Sequence, residues 1–302
     1  MTLEIVNFLS KIASITPQDN IVVVGGAIRD FLMKSSSWCV DIDLMTDTCA
    51  ETIANKCQSV LGGNVIKHEK FGTAKLKLHT SVASVSEIDF AQARTESYKQ
   101  SGALPDVQFT TIDKDLFRRD FTINAMAVKL PDFIDAIQTN QLTKDYIIDP
   151  TFGYGDLNNK LVRIIHQKSF EDDPTRMFRA IRYLNRYQFS FEKNTFDAFT
   201  DSISNNQLLN ISSYRVWQEI KKILEEDSYV ESLSCVVKYK MKHPFFDGYL
   251  EESIKSLENC DKKDRQSKFL AQGCRAHQNS HDKFLSSISL SKDSKNEVLK
   301  WL

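Results

Sequence analysis

Glycine and proline are scarce in this chain, ten and six of 302 residues, which excludes collagenous and Gly/Pro-rich low-complexity classes. Long apolar runs are missing as well. No window approaches the ~18 uninterrupted apolar residues of a membrane span, and the first twenty residues lack a basic start followed by a long apolar stretch. The expectation is a soluble, unprocessed, cytoplasmic chain with no membrane partner. The six cysteines (Cys39, Cys49, Cys57, Cys235, Cys260 and Cys274) never pair at the two-residue separation of a zinc knuckle and read as reduced, structural thiols. Charge of one sign does not dominate: 39 Lys and Arg face 40 Asp and Glu, net -1, so a polyanion must be held by a local patch. Neither a GxxxxGK[ST] loop nor a GxGxxG fingerprint occurs, which disfavours P-loop and Rossmann folds.

What remains is ordinary for a globular protein, 41% hydrophobic and 26% charged, and at roughly 150 residues per domain the length suggests about two domains. The first half mixes short β-rich runs with helical stretches. Residues 21–24, 40–45, 74–78, 85–93 and 125–130 read as strands. After about Lys160 the β signal fades and helical periodicity takes over, from Pro174 through Glu226 and again toward Leu302, so the second half is expected to be all helical. Joints are expected at 149–159, which holds Pro150, Gly153 and Gly155, and at the Ser/Asn-rich 202–210. The stretch 261–293, rich in Ser, Lys and Asp, is expected to pack loosely. Between Lys160 and Lys193 eight basic residues face four acidic ones, a local +4.

Several residues are candidates for chemistry. The run Ile21–Val24 enters Gly25-Gly26 and then a helical pattern, a place where backbone N–H groups bind phosphate or where the chain simply turns tightly. Asp41 and Asp43 flank Ile42 in an apolar run. Alternation puts both on one strand face, about 6.7 Å apart, within reach of two metal ions held roughly 4 Å apart. Exposed strand acids are the plainer reading, although apolar neighbours make two unpaired carboxylates costly there. Asp89 lies in another strand-like run, as a third acid or a surface residue.

Taken in order, Gly25-Gly26-x-x-Arg29-Asp30, Asp41-x-Asp43 and Arg118-Arg119-Asp120-Phe121-Thr122-Ile123-Asn124-Ala125 resemble the class II tRNA nucleotidyltransferases and the related bacterial poly(A) polymerases. Phe71-Gly72-Thr73, Arg94-Thr95-Glu96, Asp149 to Asp156 and Asp173-Pro174-Thr175-Arg176-Met177-Phe178-Arg179-Ala180 extend the likeness over roughly residues 21 to 220. The resemblance implies an α+β chain: a polymerase-beta-like nucleotidyltransferase head with a mixed sheet at 1–135, a helical neck with base recognition at 136–205, and a helical body at 206–302. It implies that Asp41 and Asp43 hold Mg²⁺ with Asp89 in the same catalytic cluster, that Gly25, Gly26 and Arg29 meet the triphosphate, and that Arg118, Arg119, Asp120 and Asn124 bind phosphates and ribose. For Arg29 and Asp30 a helix-surface ion pair is the competing reading.

Asp173-Pro174 reads as an N-cap with Pro at the first helical position, and Arg176 lies three residues on, sharing a face. Cytosine and adenine both present an amine beside an unprotonated ring nitrogen. One carboxylate acceptor and one guanidinium donor therefore fit C and A but not U and G. The family uses the corresponding pair as its template for CTP and ATP; here Asp172 stands where the family pattern has Glu, and a cap-only Asp173 is the alternative. Arg179, Arg182 and Arg186 form a stripe opposite Met177, Ile181 and Leu184, compatible with RNA phosphates, the nucleotide pocket or a solvated face. In Ser213-Tyr214-Arg215-Val216-Trp217-Gln218-Glu219, Tyr214 replaces the family's Glu, and Arg215 and Glu219 are expected to be structural. His277, His281 and Asp282 do not restore a metal hydrolase site.

The function implied is untemplated addition of C and A to the tRNA 3′ end from CTP and ATP. Poly(A) synthesis, CC-only or A-only addition, and an RNA-binding pseudoenzyme are the rivals. The stretch Arg94 to Phe109 resembles a loop tied to A addition, which disfavours CC-only activity, and a pure binder has no need of converging carboxylates. Many family members carry a helical tail that reaches the tRNA elbow; the chain ends at Leu302, which leaves open how tRNA is held, and the sequence leaves monomer and homodimer open.

Overall fold

The run Ile21–Val24 forms strand β1 and is buried at all four positions, as a strand covered on both faces must be. It belongs to the main sheet of a computed structural model that describes residues 2–35, 42–83, 85–277 and 281–302. Two compact units make up the fold. The first comprises residues 1–97, 105–159 and 163–165; the second comprises 98–104, 160–162 and 166–302.

In the first unit, helix α1 (Thr2–Ile15) leads into β1, followed by α2 (Gly26–Leu32), β2 (Asp43–Thr46), α3 (Ala50–Leu61), β3 (Asn64–His68), β4 (Thr73–Val82) and β5 (Val85–Gln92). A hairpin of β6 (Arg94–Ser97) and β7 (Asp106–Phe109) comes next, then α4 (Ile112–Leu116), β8 (Ala127–Lys129), α5 (Leu130–Thr139), β9 (Ile147–Ile148) and α6 (Gly153–Asn158). Among the described residues the main sheet runs β3-β4-β5-β2-β1-β8-β9. It is mixed: β2 and β5 run parallel, and the other neighbours antiparallel. Val22, Val24, Met45, Ala93, Ile112, Leu116, Ala125 and Ala127 form one buried cluster. Beyond it, Phe31 of α2 meets Phe133 of α5 edge-on, with ring centroids 5.5 Å apart.

Several boundaries differ from the sequence reading. The strand expected at 40–45 is described from Asp43 on; Val40 and Asp41 lie outside the described residues. The strand expected at 125–130 shrinks to Ala127–Lys129, because Thr122–Asn124 make a 3₁₀ turn and Leu130 already opens α5. Strands β3, β6 and β7 were not foreseen, since they are mostly exposed and carry no apolar alternation. The expected joint at 149–159 is ordered. Asp149 accepts from the N–H of Gly153 at 2.7 Å and of Tyr154 at 2.9 Å, capping α6. Thr122 Oγ1 and the Arg163 guanidinium both donate to Asp156, at 2.7 and 2.8 Å.

The second unit is helical apart from one short parallel pair, β10 (Leu161–Val162) with β11 (Ser190–Phe191), two residues each and too short for periodicity to reveal. Its helices are α7 (Ser169–Asp172), α8 (Thr175–Tyr187), α9 (Lys193–Ser204), α10 (Ser213–Leu224), α11 (Tyr229–Lys238), α12 (Leu250–Leu257), α13 (Arg265–Ala276), α14 (His281–Ser286) and α15 (Lys292–Leu299). Phenylalanines dominate the core: Phe170 packs edge-on against Phe199 at 5.8 Å, and Phe178 against Phe246 at 6.2 Å. The described residues of 261–277 and 281–293 are better packed than their composition suggested. Phe269, Leu270, Gly273 and Cys274 share the buried face of α13, and Phe284 stacks on Phe245 at 5.4 Å. No helix among the described residues is long and apolar enough to cross a membrane.

Two glycines of α6 give a paired test of this packing. A Cβ on Gly153 would fall 2.0 Å from the carbonyl oxygen of Thr122, whereas one on Gly155 meets nothing within 4 Å among the described residues. Gly153→Ala is expected to lose roughly 1–3 kcal/mol or more, by forcing backbone apart. Gly155→Ala should gain up to ~1 kcal/mol from helix propensity. Urea unfolding of both variants reads the difference, and equal stabilities would contradict the close approach.

Candidate active site

Strand β1 ends at Val24, which pairs with Asp43 across the antiparallel ladder, so the glycine turn and the carboxylate are neighbours. Gly25 has φ 72° and ψ -124°, backbone that a side chain resists, and a Cβ there would stand 3.1 Å from Nη1 of Arg119. Its N–H donates to the Met126 carbonyl at 3.1 Å, so Gly25 shapes the turn rather than offering a donor to an anion. Gly26 opens α2 without a positive φ.

On the other side of β2, Asp43 is the direct partner of Asp89 on β5. Residues in register on adjacent strands share a face about 4.8 Å apart, so two hard carboxylate donors stand side by side, a donor set that suits Mg²⁺. Asp41 lies outside the described residues, and among those described no group of three His, Cys, Asp or Glu residues is gathered closely enough to hold a metal ion. Lys75 on β4 bridges Glu87 and Asp89, 2.9 Å from the latter. Burial works against its ammonium, but the bonds to the two acids hold its pKa above the ordinary value.

Arg29 is not the helix-surface ion pair of the competing reading. It is 4% exposed, forks onto both oxygens of Asp30 at 2.8 and 3.0 Å, and donates through Nη1 to the Asn124 side-chain oxygen. Asn124 donates in turn to Asp120 at 3.0 Å, and Asp120 also accepts the Phe121 N–H at 2.9 Å. Asp30, Arg29, Asn124 and Asp120 thus form a continuous polar chain.

A second network centres on Asp115, which the sequence reading missed. Asp115 is fully buried and accepts from the Arg94 N–H at 2.9 Å, Arg118 Nε at 2.8 Å and Arg119 Nη2 at 3.4 Å. Its spacing of three and four residues before Arg118 and Arg119 was the available signal. Glu96 takes a further contact from Arg118 at 3.0 Å and one from Arg94 at 2.8 Å. Burial holds the Arg119 guanidinium below its ordinary pKa, opposed by Asp115 and, further off, Asp43. Among the described residues its Nε is buried with no hydrogen-bond partner.

The second unit holds the other expected residues. Helix α8 begins at Thr175, but Asp173 does the capping: its Oδ1 accepts from the Thr175 N–H at 3.0 Å and hydroxyl at 2.6 Å. The same oxygen takes Nη2 of Arg215 at 2.8 Å, while Nη1 of Arg215 donates to the Gly102 carbonyl at 2.8 Å. Arg176 is buried and donates to the Ser169 hydroxyl at 2.6 Å. The neighbouring Asp172 stands 3.8 Å from His166, whose pKa burial lowers.

The arginine stripe of α8 divides. Arg179 lies over the Tyr183 ring and donates to its hydroxyl at 3.0 Å. Arg182 is buried against Glu226 at 2.7 Å and Glu219 at 3.8 Å, and Arg186 also reaches Glu226. Arg182 is therefore no part of a solvated face: acids some forty residues later in the chain enclose it. His277 stacks on Phe284 at 5.1 Å.

Asp115→Asn keeps the shape of the side chain and removes its charge, so Arg119 loses its ion pair with Asp115 while Arg118 retains Glu96. The expected cost is about 3 kcal/mol or more. The exposed neighbour Asp113→Asn should stay within about 0.5 kcal/mol of the parent. Thermal and urea unfolding of the two variants checks this; equal stabilities would remove Asp115 from its central place.

Residues 21–163 match the poly A polymerase head domain family, and residues 188–252 match a family described as the probable RNA and SrmB-binding site of polymerase A. An A-adding tRNA nucleotidyltransferase of Halalkalibacterium halodurans is 37% identical over 218 residues, covering 71% of this chain and 47% of the relative. A CCA-adding enzyme in an apo form is 32% identical with a TM-score of 0.74, covering 98% of this chain and 70% of that one. The Thermotoga maritima CCA-adding enzyme complexed with tRNA is 29% identical with a TM-score of 0.68, covering 98% and 68%. The chain spans about half the length of the Halalkalibacterium halodurans relative, and 26% of the A-adding tRNA nucleotidyltransferase of Aquifex aeolicus. With both family signatures in chain order and a likeness to solved structures along almost its whole length, the chain belongs to the class II tRNA nucleotidyltransferases.

Proposed function

We propose that this protein adds nucleotides to the 3′ end of tRNA without a nucleic-acid template, using CTP and ATP. The observation that carries the reading is the register of Asp43 against Asp89 beside the Gly25 turn, in a chain whose relatives are A-adding and CCA-adding enzymes. Asp41, Asp43 and Asp89 would hold Mg²⁺. Bound there, the metal would activate the RNA 3′-hydroxyl and neutralise charge on the α-phosphate and the departing pyrophosphate.

The chain's own residues do the rest. Gly25 keeps the turn clear of side-chain bulk, and Arg118 and Arg119, held by Asp115 and Glu96, meet triphosphate charge. Asp120 and Asn124 form the ribose side, with Arg29 fixing the Asn124 amide. Asp173 accepts from the amine of cytosine or adenine and Arg176 donates to the ring nitrogen, while Arg179 lends positive charge nearby on α8. The three bonds that anchor Asp173 all fall on Oδ1, and Oδ2 is the oxygen assigned to the base. Arg182, enclosed by Glu219 and Glu226, supports the helix that carries the pair.

A second reading, addition of the terminal A alone, is favoured by the 37% identical relative described as A-adding. Products formed on tRNA ending before CCA, and on tRNA ending in CC, with CTP and ATP supplied singly and together, separate the two readings.

Asp43→Ala is expected to lower single-turnover nucleotide addition at least about a thousandfold, equivalent to ~4 kcal/mol of barrier, with an unchanged circular dichroism spectrum. Near-normal rates would sink the metal assignment. Asp173→Ala and Arg176→Ala should each erode the preference for C and A over U and G, whereas a cap-only Asp173 would cost roughly 1 kcal/mol of stability and leave base preference intact. Ratios of kcat/KM for the four nucleotides, measured with Tm, decide it; parental ratios in both variants would refute the template role.

A further inference from the structure

Phe152 is the most exposed large hydrophobic side chain among the described residues, at 78%, and its backbone has φ 63° and ψ 28°, the left-handed region that favours glycine. An apolar ring in water on unfavourable backbone is disfavoured twice. Glycine at this position would remove both penalties without disturbing the turn. Such a combination marks a side chain retained for what it touches.

The turn that carries the ring is rigid. Both oxygens of Asp149 bond the N–H groups of the next two residues, Gly153 and Tyr154, and the Phe152 carbonyl accepts the Asp156 N–H at 3.2 Å. On the inner side Gly153 is wedged against the Thr122 carbonyl, two residues before Asn124. Phe152 is thus held outward on a fixed platform beside the segment that holds the candidate ribose residues.

We propose that Phe152 is a stacking platform for an unpaired nucleobase of the RNA substrate. This rests on the tRNA reading above. The chemistry is that of a flat, uncharged ring offered to a flat base, which gains contact without hydrogen-bond readout and so tolerates any base. The Asp149 clamp pre-places the backbone that carries the ring, so only the two side-chain torsions are left to order on binding.

The test compares the affinity of the full chain for a tRNA transcript ending in CC, alongside its affinity for ATP. Phe152→Leu keeps a β-carbon on the same backbone but removes the ring, and should weaken tRNA binding about tenfold, within the range for loss of one base–aromatic stack. Phe152→Gly should weaken it equally while Tm stays level or rises. Phe152→Tyr and Phe152→Trp should bind within about twofold of the parent, given that stacking needs only an aromatic face. ATP affinity should not change in any of them. Parental tRNA affinity in the Leu and Gly variants, or a Trp variant as weak as the Leu one, would overturn the proposal. A matching loss of ATP affinity would overturn it in favour of contact with the incoming nucleotide. A parent that binds no tRNA would instead overturn the functional reading on which the proposal depends.

Discussion

Two aspartates in direct register on neighbouring strands repel one another, and a sheet normally avoids that pairing. Asp43 and Asp89 are nevertheless set opposite each other by the parallel alignment of β2 on β5, and the first unit is arranged around that alignment. A slip of one residue would turn Asp43 to the other face of the sheet and bring Leu44 opposite Asp89 in its place. Because β2 is also zipped antiparallel to β1, the same register fixes where Gly25 leaves the sheet. Positive charge offsets the repulsion: Lys75 reaches Asp89 directly, and Arg119, whose Nη1 lies against Gly25, interacts electrostatically with Asp43.

Around this pair, the cations of the site are held by acids rather than left to solvent. Arg29 is forked onto Asp30, Arg118 spans Asp115 and Glu96, and Arg119 leans on Asp115. The second unit follows the same rule, with Arg215 on Asp173 and Arg182 between Glu219 and Glu226. A guanidinium fixed by a carboxylate keeps its orientation, so little reorganisation is needed when an anionic or polar ligand arrives. The cost is desolvation, which holds the Arg119 guanidinium below its ordinary pKa.

Local chemistry and distant contacts divide the labour at Asp173. As a cap it needs only the N–H and hydroxyl of Thr175, two residues away. As an oriented carboxylate it needs Arg215, forty-two residues later, which in turn holds the Gly102 carbonyl. The capping reading and the base-recognition reading are therefore compatible, because the bonds that anchor the side chain use one oxygen and leave the geometry of the other defined.

The sequence by itself determined those features that rest on local periodicity and short motifs. The apolar run of β1, the turn into a helix at Gly25-Gly26, the helix after Asp173-Pro174 and the change from mixed to helical character near residue 160 were all legible there. Exposed strands such as β3, β6 and β7 left no such trace, since nothing apolar alternates along them. Composition misjudged the segment of α13, where a few well-spaced apolar residues suffice to pack the helix among polar neighbours. Which charges face each other was decided only in three dimensions. Asp115 gathers three donors, Arg182 is enclosed by acids of α10 and the turn after it, and Asp43 meets Asp89 across 46 residues of chain. Periodicity fixes which face of its own element a residue occupies, but strand register and helix packing choose the partner on that face, and a buried charge is stable only once that partner is in place.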